Sequence, residues 1–255
     1  MIPDNLVNWF LVFARVTAML AIFPLFSGGH VPVQLRIALG ALLAYLVAAS
    51  LPPMPVQEAA FGTLIGLVAL ETGVGLLLGF IARMIFYALD AVGNVLAREL
   101  GLFIAGELNP FTHDQSETPG LILYMLGIML FLTLDLHHWM LAGFQRSYQL
   151  LPIGGAHLTE KLAHNVIRQT AGIFTATVQI SAPVIALSLL VNVIFASLGR
   201  AVQQINVFTE SFAFRSLAGL AMFGLSLNLM AQHIANYLRR LPEDMLRVAQ
   251  LLGAR

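Results

Sequence analysis

The sequence predicts an all-α fold of the membrane type, and three observations support this prediction. Hydrophobic residues make up 58% of the 255 residues, charged residues make up 10%, and the mean hydropathy is +0.84. Clusters of proline and glycine separate apolar runs of bilayer length. The few charges include several inside those runs. Because these values lie outside the usual range of soluble proteins, we expect a membrane protein with no appended soluble domain.

The charge balance and the cysteine content argue against nucleic-acid binding, disulfides and thiolate metal sites. Lys and Arg total 13, as do Asp and Glu, so the net charge is zero. Without a basic surplus, a nucleic-acid phosphate backbone is not an expected partner. The chain has no cysteine, which excludes disulfides and thiolate metal sites.

The first two apolar runs predict a helical hairpin. The first run extends to Pro24 with Asp4 as its N-cap, residues 27–29 then break the chain, and the second run covers residues 33–51. No Lys or Arg precedes Arg15, which argues against a removable signal peptide.

A third apolar segment predicts one unusually long helix over residues 56–105, with no internal proline. At about 1.5 Å per residue, such a helix exceeds a bilayer core of about 30 Å, so it must tilt, break or protrude. Gly75 and Gly79 form a small-xxx-small pair, which favours close packing of another helix.

Charged and polar residues inside this helix are its most informative feature. The charged ones are Glu71, Arg83, Asp90, Arg98 and Glu99. We call the set that shares one helix face the polar stripe: Arg83, Tyr87, Asp90, Asn94 and Arg98. Such groups are unfavourable neighbours for lipid, because burying a charge in the bilayer costs about 3 kcal/mol unless it is paired or solvated. Two interpretations stay open: the stripe faces a water-filled path or a partner subunit, or neighbouring helices neutralise it.

Proline, glycine and polar residues divide the rest of the chain. They predict, in order, a polar loop at 106–120, a helix at 121–151, a turn at 152–155, an apolar run at 171–198 kinked by Pro183, a polar patch at 199–215 and a last run at 216–234. The tail after Tyr237 is predicted to be a soluble or interfacial helix, and its basic residues favour a cytoplasmic C-terminus. In all, we expect five or six bilayer-length segments.

Residues with catalytic or metal-binding side chains do not complete a known site. Asp135, His137 and His138 offer metal ligands, but adjacent histidines point to different faces of a helix and no second cluster completes the set. Packing of the histidines at a helix interface or at headgroup level is therefore favoured over metal binding. The serines stand in no nucleophile motif: Ser147, Ser181 and Ser211. We expect no catalytic residue, no metal and no cofactor.

Three blocks of residues together carry a family resemblance over nearly the whole chain. The first comprises Arg15 to Pro24, Pro32, Arg36, Glu71, Gly75, Gly79, Gly93, Gly101 and Asn109-Pro110. The second comprises residues 131–139 and the turn at 151–154. The third comprises Ala182-Pro183, Asn192, Arg200, Gln204, Asn206, Val207 and Phe208. In this order they resemble the family of the flagellar export-gate protein FliR and its virulence counterparts, the T subunits of type III secretion. Gln203 and Asn109 depart from the usual family pattern, which leaves the flagellar or virulence branch open.

The resemblance implies a fold and a set of partners. The fold would be long bent helical hairpins that resemble a fusion of a P-like part, about residues 1–170, with a Q-like part, about residues 171–255, in one subunit over 1–255. The partners would be the P and Q export-gate subunits, the B-family switch protein and unfolded export substrates. The location would be the bacterial inner membrane, in a flagellar basal body or an injectisome base.

The resemblance also implies a non-enzymatic function and two sets of functional residues. The chain would be a structural, pore-forming subunit of the type III protein export gate. A loop at residues 106–120 would plug the closed pore through Gly106, Glu107, Leu108, Asn109, Pro110, Phe111, Thr112, His113 and Asp114. Polar contacts between subunits would involve Glu71, Arg83, Asp90, Asn94, Arg98, Arg200, Gln204 and Asn206.

Two other functions are alternatives to the export gate. A secondary membrane transporter or channel would bind substrate at broken helices near Pro183, but the matching interrupted segment that such a fold requires is absent from the sequence. An intramembrane metalloenzyme would use Asp135 and His138 and would require bound zinc.

Overall fold

A computed structural model describes residues 4–27, 31–51, 61–102, 118–201 and 207–254. Within these ranges every regular element is a helix, which confirms the predicted all-α class. The helices are α1 (Asp4–Ile22), α2 (Pro24–Ser27), α3 (Val33–Ala48), α4 (Phe61–Glu99), α5 (Thr118–Thr133), α6 (Leu136–Leu150), α7 (Glu160–Ala201), α8 (Val207–Leu238) and α9 (Leu241–Gly253).

The chain folds into two compact units, each made of separate stretches of sequence. Unit 1 comprises Met1–Met84, Asp135–Thr170 and Arg239–Arg255, and unit 2 comprises Ile85–Leu134 and Ala171–Leu238. Helices α4 and α7 each contribute residues to both units. The predicted P-like and Q-like parts follow a different division of the chain and stay a prediction.

In unit 1, α1 and α3 form the predicted hairpin. Leu11, Val12 and Val16 of α1 are fully buried. The indole nitrogen of Trp9 donates to the carbonyl oxygen of Ala41 at 3.4 Å, and a Cβ at Gly40 would lie 2.6 Å from the Thr17 side chain. The absence of a side chain at Gly40 therefore lets the two helices approach closely.

Helix α4 crosses α1 at the glycine pair that predicted close packing. A Cβ at Gly75 would collide with the backbone carbonyl oxygen of Arg15, and one at Gly79 would lie 2.8 Å from that of Met19. Both positions require glycine because the neighbouring atom is backbone, which has little freedom to move. The prediction that these glycines serve helix packing is confirmed.

The C-terminal tail is the helix α9, and its apolar face packs inside the chain on α6. Leu241, Met245 and Val248 are buried. The backbone N–H of His157 donates to the carbonyl oxygen of Leu252 at 2.9 Å. A free soluble or interfacial helix was therefore the wrong expectation, since the apolar stripe that suggested a membrane surface is covered by α6.

In unit 2, α4, α5 and α8 pack around small residues. A Cβ at Gly93 would collide with the Gly120 backbone, so α4 and α5 touch through their main chains. The rings of Phe86 and Tyr124 meet edge to face, with centroids 5.4 Å apart. At the end of α4, the hydroxyl of Ser216 on α8 donates to the carbonyl oxygen of Leu100 at 2.8 Å. This bond satisfies one of the carbonyl groups that a helix end leaves without a partner.

The predicted helix at 121–151 is two helices in the structure. The break falls at Asp135, whose φ of 54° lies in the left-handed region. Aspartate tolerates this conformation better than most residues because its short polar side chain bonds locally. By contrast, Pro183 lies inside the continuous helix α7.

Three described helical segments are long and apolar enough to cross a membrane: Phe61–Glu99, Glu160–Ala201 and Glu210–Gly253. The bent pair of α5 and α6 is a fourth if it counts as one span. The expectation of five or six was too high for the described residues, because the apolar helices of the N-terminal hairpin, Leu6–Ile22 and Val33–Ala48, are shorter.

The contact between Gly93 and Gly120 gives a test of the packing in unit 2. We expect Gly93→Ala to lower the free energy of unfolding by about 1–3 kcal/mol, because the added methyl group meets backbone atoms. Gly73→Ala on the same helix is the matched control, since nothing lies within 4 Å of a Cβ there. Thermal unfolding of the detergent-solubilised protein should show a loss for the first variant and an unchanged or higher midpoint for the second.

Candidate functional site: buried charges and an exposed polar stripe

Unit 1 contains an ion pair that is completely removed from solvent. Nε of Arg15 on α1 lies 2.5 Å from Oε2 of Glu71 on α4, and both side chains are 0% exposed. Burying either charge alone would be strongly unfavourable, so each requires the other. The sequence identified Glu71 as an unusual charge within an apolar helix, but gave no sign of its partner 56 residues away.

The rest of this buried charge cluster comes from α6 and the turn that follows it. Oε1 of Glu71 accepts a hydrogen bond from the backbone N–H of Gly154 at 2.9 Å. Nη1 of Arg15 donates to the carbonyl oxygen of Leu151 at 3.2 Å, and its guanidinium lies 4.1 Å from the centroid of the Tyr148 ring. The cluster therefore joins α1, α4, α6 and the predicted turn at 152–155.

The position of the cluster follows from local sequence. Gly75 lies one helical turn after Glu71, on the same face of α4. Because Gly75 has no side chain, the backbone of Arg15 comes against it. That approach brings the Arg15 side chain within reach of the Glu71 carboxylate. The glycine and the charge are thus parts of one contact between α1 and α4.

The polar stripe of α4 has a different environment along its length. Arg83 and Tyr87 are half-buried, and Nη1 of Arg83 donates to the carbonyl oxygen of Ile22 at 3.4 Å. Asp90, Asn94 and Arg98 are exposed. The predicted shared face is therefore present, and its later part is open at the surface of the single chain.

In unit 2, a cleft lies beside the open part of the stripe. Asp90 and Asn94 line it from α4, and Tyr124 and Leu121 line it from α5. The amide nitrogen of Asn94 donates to the backbone carbonyl oxygen of Asp90 at 3.0 Å. The cleft thus presents a carboxylate and an amide beside an aromatic ring, a combination suited to polar side chains of another protein.

The other residues predicted to contact partner subunits or to plug the pore fall in three groups. Glu71 has its charge partner within the chain, and its contact with another subunit stays a prediction. Arg200 is exposed near the end of α7. The plug residues 106–114, together with Gln204 and Asn206, lie outside the described residues.

Comparison with known proteins agrees with the family resemblance. The model of the family described as bacterial export proteins, family 1, matches residues 6–241. The flagellar biosynthetic protein FliR of Caulobacter vibrioides is 30% identical over 222 residues, which cover 86% of this chain and 87% of that protein. The protein of the same name from Bacillus subtilis is 28% identical over 255 residues, covering 99% of this chain and 98% of the relative. That of Escherichia coli is 26% identical over 251 residues, covering 97% and 95%.

The role of the buried ion pair in stability can be tested by substitution. Glu71→Ala should lower the free energy of unfolding by about 3–5 kcal/mol, because it leaves the Arg15 guanidinium buried without its counter-charge. The paired variant Arg15→Met with Glu71→Leu removes both charges and should recover most of that loss. Thermal unfolding in detergent and the amount of protein in membranes measure the effect. Equal losses for the single and the paired variant would show that the carboxylate does not act by neutralising Arg15.

Proposed function

This chain belongs to the bacterial export proteins, family 1, and we propose that it is a structural, pore-forming subunit of a type III protein export gate. In this role it passes unfolded proteins across the bacterial inner membrane. The family match over residues 6–241 carries the proposal, because it covers all of unit 2 and all of unit 1 except residues 1–5 and 242–255. The relatives compared above are flagellar biosynthetic proteins, which favours the flagellar branch over the virulence branch.

The exposed apolar surface supports a place within a membrane assembly. Phe174 on α7 is 74% exposed, and Leu217 and Leu225 on α8 are 75% and 81% exposed. Soluble monomers rarely leave large apolar side chains open in this number. Lipid or the apolar faces of other subunits would cover them.

The polar stripe supports contact with other subunits rather than with lipid along that face of α4. Asp90 and Arg98 are exposed on a helix that is otherwise apolar enough to span a bilayer. A charge at the bilayer centre is unfavourable by about 2.5–3.5 kcal/mol on insertion scales. Asp90 and Arg98 each have an interaction within the chain, and a protein neighbour or an aqueous pore would lower the penalty that remains. We therefore assign the stripe to contacts with the P and Q subunits, and the B-family switch protein is expected alongside.

We further propose that the loop at residues 106–120 plugs the closed pore. Residues 106–120 contain Glu107, Asn109, His113 and Asp114 among few apolar residues, which suits a wet lumen. Helix α5 begins at Thr118, so the predicted end of the loop at residue 120 was too late. In unit 2 the described residues on either side of 103–117 are firmly packed, since Leu100 is bonded to Ser216 and Gly120 lies against Gly93. Fixed ends would let the loop between them change conformation without unfolding the unit.

Deletion of the loop tests the plug. We expect removal of residues 106–117 to raise the leakage of ions or small solutes in cells that contain the assembled gate, because the closed pore loses its obstruction. The deletion spares Gly120 and so keeps the packing of α5 on α4. The same variant in cells without the P and Q subunits should not leak. An unchanged leak from a gate shown to be assembled would contradict the plug.

Substitution of the stripe tests the subunit contacts. Asp90→Ala should reduce co-purification with the P and Q subunits several-fold while the chain remains in the membrane, because the carboxylate lies at the surface of the single chain. Arg83→Ala should act in the same direction, with some loss of stability as well, since Arg83 bonds within the chain. Glu160→Ala is the control, because its side chain is 89% exposed and it belongs to α7 rather than to the stripe of α4. Loss of export with assembly intact would instead indicate that the stripe conducts ions or protons.

A further inference from the structure

We propose that Asp135, His137 and His138 form a binding site for a divalent transition metal, with Zn²⁺ as the best match. This α6 site lies where α6 begins, within unit 1. One carboxylate and two imidazoles are a donor set that zinc commonly uses in proteins. The site is separate from the polar stripe and from the buried charge cluster, and the export function proposed above does not depend on it.

The structure removes one of the two sequence arguments against this site. That argument required the two adjacent histidines to point to different faces of a helix. Their ring centroids are instead 4.0 Å apart. One ligand atom from each of the three residues lies within 4.8 Å of the others. This is the only group of three or more such side chains gathered so closely in the described part of the chain.

The spacing of the ligand atoms suits coordination better than direct hydrogen bonding. Nδ1 of His138 lies 3.6 Å from Oδ1 of Asp135, which is too long for a hydrogen bond. Two ligands of tetrahedral zinc, each about 2.1 Å from the ion, are about 3.4 Å apart. A pair of ligand atoms separated by more than this must move together when the ion binds.

A buried ring nitrogen of His137 is an independent observation that points to a ligand. Its Nδ1 is shielded from solvent and has no hydrogen-bond partner among the described residues. A buried polar nitrogen without a partner is unfavourable, and a metal ion that binds the imidazole fixes which nitrogen carries a proton and how the ring is oriented. His138 and Asp135, by contrast, are each 71% exposed, which gives an ion access from solvent.

Binding of the ion would act on the turn that precedes α6. Asp135 has the left-handed φ of 54°, and a metal bridge to His137 and His138 would hold this conformation by joining it to the first turn of the helix. Three protein ligands leave one position of a tetrahedral ion open for water or for a side chain of another protein.

A second histidine–carboxylate pair provides a matched control. Nε2 of His164 lies 3.6 Å from Oε1 of Glu160, the same spacing as in the α6 site. Both side chains are well exposed, at 75% and 89%. No third ligand of the kind gathered at Asp135 accompanies this pair among the described residues. His164→Ala therefore removes an exposed histidine without touching the proposed ligands.

The test is metal titration of the full-length chain, purified in detergent with a tag that contains no histidine and stripped with a chelator. We expect one equivalent of Co²⁺ to bind and change the visible absorption spectrum, and Zn²⁺ to displace it. Asp135→Asn and His138→Ala should each weaken binding at least tenfold, and His164→Ala should leave it unchanged. Zn²⁺ should also raise the thermal midpoint of the unsubstituted protein but not that of Asp135→Asn.

Asparagine also tolerates the left-handed conformation, so Asp135→Asn separates loss of a ligand from loss of the fold. Absence of saturable binding near one equivalent would overturn the proposal. Binding that survives Asp135→Asn and His138→Ala would overturn it equally, because the metal would then lie elsewhere. Neither result would bear on the export-gate proposal, whose tests use assembly and leakage.

Discussion

The ion pair between Arg15 and Glu71 is the interaction on which unit 1 depends. In a chain with few charges, two of them are fully buried together, and neither is tolerable without the other. Their remaining hydrogen bonds reach Leu151 and Gly154, so the pair fixes the α6 turn as well as the crossing of α1 and α4. Its geometry requires Gly75, because only glycine lets the Arg15 backbone come so close.

The charged residues of the long helix α4 lie in two different environments. Near its start, Glu71 is neutralised inside the chain by Arg15. Farther along, Asp90, Asn94 and Arg98 lie at the surface of an otherwise apolar helix. The first arrangement stabilises one subunit, whereas the second leaves charged side chains at a surface where lipid is an unfavourable neighbour. This contrast supports the proposal that other subunits or water, rather than lipid, cover that face of α4.

Local sequence was a good guide where local forces decide the structure. The apolar runs predicted the helices, the Gly75 and Gly79 pair predicted a close helix contact, and residues 152–155 predicted a turn. It was a poor guide at Asp135, since an apolar run on both sides concealed a left-handed residue that divides the helix. Local sequence also led to the wrong environment for α9. An amphipathic helix has the same sequence pattern whether a membrane or α6 covers its apolar face.

The sequence by itself determined the membrane-type helical class, the long α4, the shared face of its polar residues and the family. These depend on composition, on periodicity over a few turns and on landmarks along the chain. Only the tertiary structure decided that Glu71 meets Arg15, that Gly93 meets Gly120 and that the rings of His137 and His138 lie side by side. The physical reason is that charge pairing and close packing depend on distance in space, and residues 56 positions apart carry no local sign of their contact.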